Sequence, residues 1–467
     1  MATQLQVGKQ PGLLRQLGFI SATALVVSNM VGTGIFATTG FMAGDLGDAK
    51  LILAVWLVGA LFALCGALSY SELGMNFPSS GGEYVYLTRA YGPTWGFMTG
   101  WVSFFAGFSA PIAAAALAFS DYVGHFFPAF KQSNAQFTIG SGSFALQLGG
   151  AQILASGLIA GFTILNCLGV GRTAKVQNVL TATKLIVIVA FVFFGFAAGT
   201  GSWEHFSQPA VRTSLVSVPV QFIISLVWVM VGYSGWNAAT YVAEELKRPE
   251  RTLPLALAVG TGVVTALYLG LNLILIYSTP LEAMKGVLAI GSLSASNLFG
   301  SGVAGTFAAL MALSITSTVN AMVTVGPRVY YAMAKNRAFF SAAGRVNARW
   351  RTPVVAIIAQ GICAMLMTLT PFTQLILYIG FSLTFFTVMS VATLFVLRHK
   401  PGWQKLGPVS FAFPLIPAAY ILVGTAMIVW GVIFQPKASL TAAATIIIGA
   451  LVYHFGPARE LARSSGS

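Results

Sequence analysis

Long apolar stretches alternate with short, polar, basic segments along the whole chain. A helix that crosses a bilayer needs about 20 mainly apolar residues. Twelve stretches meet that need, at 18–46, 50–77, 93–127, 150–169, 174–200, 215–246, 253–278, 301–334, 353–370, 373–397, 412–434 and 438–456. The pattern predicts an all-α membrane protein with 12 transmembrane helices. The boundary between the ninth and tenth rests on Thr370-Pro371-Phe372. The first run is too long for a signal-peptide core and is followed by no small-residue cleavage site, so it is expected to remain as a span.

Composition excludes the soluble alternatives. Apolar residues make up 57% of the 467, charged residues only 8%, and the mean hydropathy is +0.82. A soluble surface uses roughly 25% charged residues. The net charge of +14 is no nucleic-acid footprint, because the basic residues lie in short segments between apolar runs. With the amino terminus cytoplasmic, 19 of the 25 basic residues fall on the inner side. Positive-inside counting therefore favours both termini in the cytoplasm. Cys65, Cys167 and Cys363 all sit in apolar runs and read as small buried hydrophobes, with no metal site or cofactor expected.

Two spans carry interruptions. The first contains Ser28-Asn29-Met30-Val31-Gly32-Thr33-Gly34-Ile35-Phe36, the sixth Val231-Gly232-Tyr233-Ser234-Gly235-Trp236-Asn237. Each glycine inside a helix costs about 1 kcal/mol relative to alanine. In lipid, backbone groups freed from a helix must line a cavity or meet a ligand. One Gly-x-Gly reads as close helix packing. Two interruptions at corresponding places read as the binding site of an inverted-repeat transporter. A half-helix starting near Gly34 aims free N–H groups and a positive dipole end at the break, which suits a carboxylate. Half-helices ending near Met30 and Val231 offer carbonyls and a negative dipole end, which suit an ammonium. Together they predict a pocket for an α-amino acid zwitterion.

The residues also carry a family resemblance. Gly32-Thr33-Gly34-Ile35-Phe36, Tyr70-Ser71-Glu72-Leu73-Gly74, Gly81-Gly82-Glu83-Tyr84-Val85-Tyr86, Arg89-Ala90-Tyr91-Gly92-Pro93 and Tyr330-Tyr331-Ala332-Met333-Ala334 resemble motifs of the amino acid–polyamine–organocation (APC) superfamily. Tyr233-Ser234-Gly235-Trp236-Asn237, followed by Glu244-Glu245 and Leu253-Pro254, resembles its L-type amino-acid transporter branch, which includes the light chains of heteromeric transporters. The resemblance implies a LeuT-type fold with a 5+5 inverted repeat, helices 1 and 6 being unwound at mid-membrane. Its division would be a cytoplasmic tail 1–17, a first five-helix repeat 18–200, a second 201–397, helices 11 and 12 over 398–456, and a cytoplasmic tail 457–467. It further implies that amides around Gly32, Thr33 and Gly34 hold the substrate carboxylate. Carbonyls of Met30, Val231, Gly232 and Ser234 would hold the ammonium, with Val31, Tyr233, Trp236 and Asn237 beside them. Val231 stands where the family often has an aromatic gate. The third-to-fourth loop lacks the cysteine that joins animal light chains to a heavy chain, so no heavy-chain subunit is expected.

Lys184 is roughly 13 Å deeper in its span than Lys175, at about 1.5 Å per residue. A lysine at depth costs at least ~2.5 kcal/mol on insertion scales, so it is expected to have a partner or a task. The alternative is a side chain that snorkels to the interface. The resemblance implies that Lys184 replaces a sodium ion, as a proton-coupling site or a fixed strut.

All eleven acidic residues fall near span ends or in loops, which favours neutral over cationic substrates. Glu244 and Glu245 are expected to cap a helix end and pair with Lys247 or Arg248. Gly96 to Gly100 reads as close packing; Trp236 and Tyr378 either line the pocket or fill space. The expected function is sodium-independent transport of neutral L-amino acids by alternating access, as proton symporter or exchanger. Its partners are the amino acid, the lipid bilayer and protons, with no nucleic acid. The alternatives are an amino-acid sensor built on a transporter fold, or a carrier of cationic amino acids or polyamines. A membrane enzyme lacks a buried catalytic cluster, and a channel lacks a polar pore-lining repeat. Short termini point to a multi-pass protein of a bacterial inner membrane.

Overall fold

The computed structural model describes residues 13–32, 34–140, 146–287, 290–434 and 436–455. Helices dominate. The first apolar stretch is split into α1 (Phe19–Met30) and α2 (Gly34–Leu46). After it come α3 (Ala49–Asn76) and the short α4 (Glu83–Tyr91). The third stretch is one path of three pieces, α5 (Pro93–Val102), a π-helical turn Ser103–Ser109 and α6 (Ala110–Val123). Next are α7 (Gly150–Cys167), α8 (Val170–Ala198), α9 (Val218–Tyr233) and α10 (Pro249–Ser278). Short α11 (Leu281–Met284) and α12 (Ile290–Phe299) precede α13 (Ser301–Val325) and α14 (Pro327–Lys335). The chain ends with α15 (Val354–Met367), α16 (Phe372–Leu397), α17 (Gly407–Phe411), α18 (Leu415–Phe434) and α19 (Pro436–Phe455).

Among the described residues, nine helical stretches are long and apolar enough to cross a membrane. The shorter apolar helices Phe19–Met30, Val354–Met367 and Ser439–Phe455 accompany them. The expected division at Thr370-Pro371-Phe372 falls between α15 and α16. Local chemistry sets several helix starts. Asp48 caps α3 by accepting from the Leu51 N–H at 3.0 Å, as N-cap carboxylates do. Proline stands in the first turn of α5, α9, α10 and α14, where its missing N–H leaves nothing unpaired. The loop at 128–149 holds two short 3-10 turns, and Phe137–Ile139 and Leu146–Leu148 pair there as an antiparallel ribbon. A three-residue strand pair is too short to leave a period in the sequence.

Burial orders the bundle. In an apolar run of 18 residues taken from each stretch, 78% of the residues are buried in Ser301–Lys335 and 72% in Pro93–Val123, against 28% in Leu415–Phe434 and 33% in Gly150–Cys167. Thus α13 and α6 are central, packed on each other, while α18 and α7 are peripheral. The outer helices expose Ile153, Ile164, Ile186, Phe193, Leu422 and Val429, the kind of broad apolar surface that a bilayer covers. α1 sits inside, against α10, α8 and α13. Gly96 faces Thr88, and Gly100 faces Met333 so closely that a Cβ would lie 2.1 Å from its sulfur. These glycines serve internal helix packing, as expected.

Candidate functional site

Both glycine-bearing stretches lose their helix. α1 stops at Met30; Val31 turns extended (φ −75°, ψ 91°), and α2 starts at Gly34. α9 runs two residues beyond the expected end near Val231, to Tyr233. Ser234 is extended, Gly235 takes φ +97°, and a 3-10 segment Ala238–Glu245 follows. The left-handed turn at Gly235 needs a residue without Cβ. A Cβ there would also lie 2.7 Å from that of Asn29. At Gly34 a Cβ would stand 2.6 Å from the Gly232 Cα. The two breaks therefore touch, backbone against backbone, and glycine is what lets them.

The carbonyls released at the breaks largely find protein partners. The Tyr268 hydroxyl of α10 lies 2.6 Å from Met30 O and 2.8 Å from Gly232 O, joining both breaks. A phenol has one hydrogen, so one of these oxygens at any instant keeps a free lone pair. Val231 O accepts from the Ser234 hydroxyl at 2.7 Å. Val31 O accepts from Lys184 Nζ at 2.6 Å and from the Thr318 hydroxyl at 2.8 Å. Lys184 is 1% exposed and also donates to Thr318 at 2.8 Å. It does not snorkel. The first turn of α2 adds N–H groups that have no intrahelical acceptor.

Two adjoining cavities lie beside the breaks. The larger, about 70 Å³, is lined by Val231, Ser234, Trp236 and Asn237 from the second break, with Phe108, Thr384 and Tyr420 opposite. The smaller, about 30 Å³, touches Met30, Gly32, Gly34 and Thr318. Asn29, Pro111, Val231, Ser234, Met322 and Ile379 border both. Among the described residues no charged side chain lines either one. Of the expected residues, Val31 and Gly232 present backbone oxygens that accept from Lys184, Thr318 and Tyr268, and Thr33 lies outside the described residues. Tyr233 lines neither cavity: it is buried, packs on Trp56 and Tyr268, and donates to Trp56 O. Tyr378 likewise lies apart, with its hydroxyl donating to Thr445 at 3.1 Å.

Glu83 keeps to the expectation that carboxylates stay near span ends or in loops, yet its side chain is buried against the segment that follows the second break. Gly81 (φ +119°) and Gly82 (φ +51°) turn the chain into α4. A Cβ on Gly82 would lie 2.6 Å from the Tyr241 ring, so α4 begins flush against the 3-10 segment after the second break. This inserts Glu83, 4% exposed, beneath the pocket. Its Oε1 accepts from Asn237 Nδ2 at 2.6 Å and from the Tyr70 hydroxyl at 3.1 Å. Hydropathy reads this segment as a loop, and nothing local signals the insertion.

The partners expected for Glu244 and Glu245 are also corrected. Glu245 forms a fully buried pair with Arg328, at 2.7 Å, and Glu244 reaches Lys335 at 3.5 Å. Both cations come from α14, not from Lys247 or Arg248, because the chain after the 3-10 segment turns away at Leu246. There Leu17 N donates to Glu245 O (2.9 Å) and Lys247 N to Leu17 O (2.8 Å), so the residues before α1 are strapped to those after the second break. A second buried pair, Arg398 with Glu72 at 2.6 Å, closes α16 onto α3.

The amino acid permease family model matches residues 17–455. The chain is similar to the serine/threonine exchanger SteT of Bacillus subtilis (strain 168), 29% identical over 418 residues, covering 88% of this chain and 89% of that protein. It is similar to the large neutral amino acids transporter small subunit 2 of Homo sapiens, 27% identical, covering 95% and 81%. It is also similar to the b(0,+)-type amino acid transporter 1 of Homo sapiens, 26% identical, covering 97% and 90%. All three are amino acid transporters, which supports amino acid transport here and agrees with a role other than an enzyme's. One of them is by name a small subunit, so these likenesses lend no support to the expected absence of a partner subunit.

Proposed function

We propose, from the premise that this chain belongs to the amino acid permease family of the APC superfamily, that it moves small neutral L-amino acids across the membrane by alternating access, without sodium. The arrangement we infer is LeuT-type, with twelve spans, both termini in the cytoplasm, and exchange or proton symport as the coupling. The observation that carries this reading is the contact of two helix breaks at a cavity with no charged lining. The first turn of α2 supplies N–H donors and a positive dipole end for the substrate carboxylate. The carbonyls of Met30 and Gly232, which share one phenolic hydrogen, offer an acceptor to the ammonium.

Size and charge narrow the substrate. At about 10–15 Å³ per water-sized position, the larger cavity of about 70 Å³ has room for roughly five to seven. That is close to the heavy-atom count of alanine or serine. A cationic side chain would find no carboxylate at the cavity wall, since Asn237 stands between Glu83 and the pocket. Lys184 supports sodium independence, because its nitrogen occupies the Val31 carbonyl, an oxygen that a bound cation could otherwise use.

Uptake into proteoliposomes tests this. Radiolabelled serine is expected to accumulate without sodium, and alanine and serine to compete better than arginine. Preloading with amino acid separates exchange from proton symport, the first requiring internal substrate and the second an inward pH gradient. Strict sodium dependence, or arginine outcompeting both small neutral amino acids, sinks the reading.

A further inference from the structure

Glu83 is a buried carboxylate with no use in the transport scheme above. The groups that face it are hydroxyls: Tyr70 from α3, Tyr86 from its own helix, Tyr241 from the 3-10 segment and Tyr420 from α18. Among the described residues no ion pair reaches it. Its Oε2 makes no hydrogen bond of sound geometry, with the Tyr241 hydroxyl beside it. A buried carboxylate without a cation is costly in its ionised form. Glu83 lies outside the membrane-spanning segments, at the start of α4. Burial raises its pKa above the ordinary glutamate range, and the hydrogen bonds from Tyr241, the backbone, Tyr70 and Asn237 oppose that rise without cancelling it.

Asn237 connects this group to the pocket. Both hydrogens of its amide nitrogen are committed, one to Glu83 Oε1 at 2.6 Å and one to the Tyr241 oxygen at 3.0 Å. The amide oxygen is what remains for the cavity that Asn237 lines. We propose that Glu83 is a proton-binding site that the amino acid pocket reads through Asn237. While Glu83 is ionised it holds the amide nitrogen, and the pocket is offered an acceptor for the substrate's N–H or O–H donors. When Glu83 takes up a proton at Oε1, that O–H becomes a donor toward Asn237, the amide rotates to accept it, the Tyr241 hydroxyl turns to the bare Oε2, and the pocket is offered an NH₂ instead. Amino acid and proton then oppose each other at this site, so of the two couplings above Glu83 serves exchange and not proton symport, and substrate binding expels its proton to bulk water. This inference rests on the transport reading above.

The test uses the full chain in lipid nanodiscs and radiolabelled serine, from about pH 8 down to about pH 5. Wild-type affinity is expected to fall roughly tenfold as Glu83 protonates, the scale of one hydrogen bond to a charged group. Serine binding in weak buffer should release protons within that window. Glu83→Gln, whose amide imitates the protonated acid, is expected to bind weakly at every pH and release none. Glu83→Asp should restore a pH-dependent affinity. If Glu83→Gln does not fold, Asn237→Ala serves instead, with the pH dependence removed at its source. The proposal is overturned by a flat wild-type profile or by an unchanged profile in Glu83→Gln. It is equally overturned if the dependence vanishes in Lys184→Met and persists in Glu83→Gln. A wild type that binds no amino acid at any pH removes the transport reading itself, and this inference with it.

Discussion

Lys184 donates a 2.6 Å hydrogen bond to the carbonyl oxygen of Val31, the residue at which the first span leaves its helix. The lysine comes from α8 and its other acceptor, Thr318, from α13, so three elements meet at one nitrogen. Around it Ser28 bonds Thr181 at 2.6 Å, and Ser317 donates to Ser28 at 3.1 Å. The break in α1 is thus held open by side chains from both neighbouring helices.

Replacing Lys184 by methionine separates stability from transport. Thr318 still donates to Val31 O at 2.8 Å, so that carbonyl keeps a partner, and methionine of similar volume removes an amine that is costly to bury. Folding yield and melting temperature in detergent should stay near wild type. Serine uptake into proteoliposomes should fall at least about tenfold, since the strut to α8 is gone and a factor of ten corresponds to only ~1.4 kcal/mol. Wild-type uptake by Lys184→Met at every pH would show that the lysine has no part in the cycle.

Gly34→Ala drives the breaks apart. The new Cβ would sit 2.6 Å from Gly232 Cα and 3.0 Å from Gly232 N, backbone atoms that cannot rotate away. Overpacking of this kind costs about 1–3 kcal/mol. A lower melting temperature and loss of serine uptake are expected together. Gly18→Ala is the control, because nothing lies within 4 Å of its added Cβ. Normal uptake by Gly34→Ala would mean that the two breaks do not need this close crossing.

How much of this was readable beforehand depends on whether the signal is local. The end of α1 and the start of α2 follow from two glycines inside an apolar run, and Met30, Gly32 and Gly34 do border a cavity. In the sixth span two glycines stand three apart, and pattern alone cannot tell their tasks. Gly232 stays helical and is the crossing point, whereas Gly235 makes the turn, which moves the break toward Ser234. Tyr268, Thr318 and Glu83 could not be found this way. Their contacts bridge 238, 287 and 154 residues, and a tyrosine, a threonine and a loop glutamate look ordinary in sequence. The Glu245–Arg328 pair was hidden for the same reason, 83 residues apart.

Tyr268→Phe leaves the buried oxygens of Met30 and Gly232 with no shared donor. An unsatisfied buried acceptor costs about 1–3 kcal/mol, so the empty protein should melt below wild type. Serine should narrow the gap, because its ammonium can donate to the oxygen left bare. The check is a melting curve of both proteins with and without saturating serine. Equal stabilisation of both by serine would place the ammonium elsewhere.

The buried pair of Glu245 and Arg328 makes the last prediction. Arg328 is 1% exposed and Glu245 is fully buried, while Arg328 Nη1 also donates to Thr324 O at 2.5 Å. Removing one partner strands the other charge, at a cost of about 3–5 kcal/mol. Removing both as Glu245→Leu with Arg328→Met strands neither, and such replacements are often close to neutral. The strap at Leu17 uses the backbone of Glu245 and survives every one of these changes, so differences among the variants report the charges alone. Thermal unfolding of the two single variants and the double variant should show both singles well below wild type, with the double recovering most of the loss. A double variant no more stable than the worse single would mean that the pair holds these helices together by attraction rather than by mutual neutralisation.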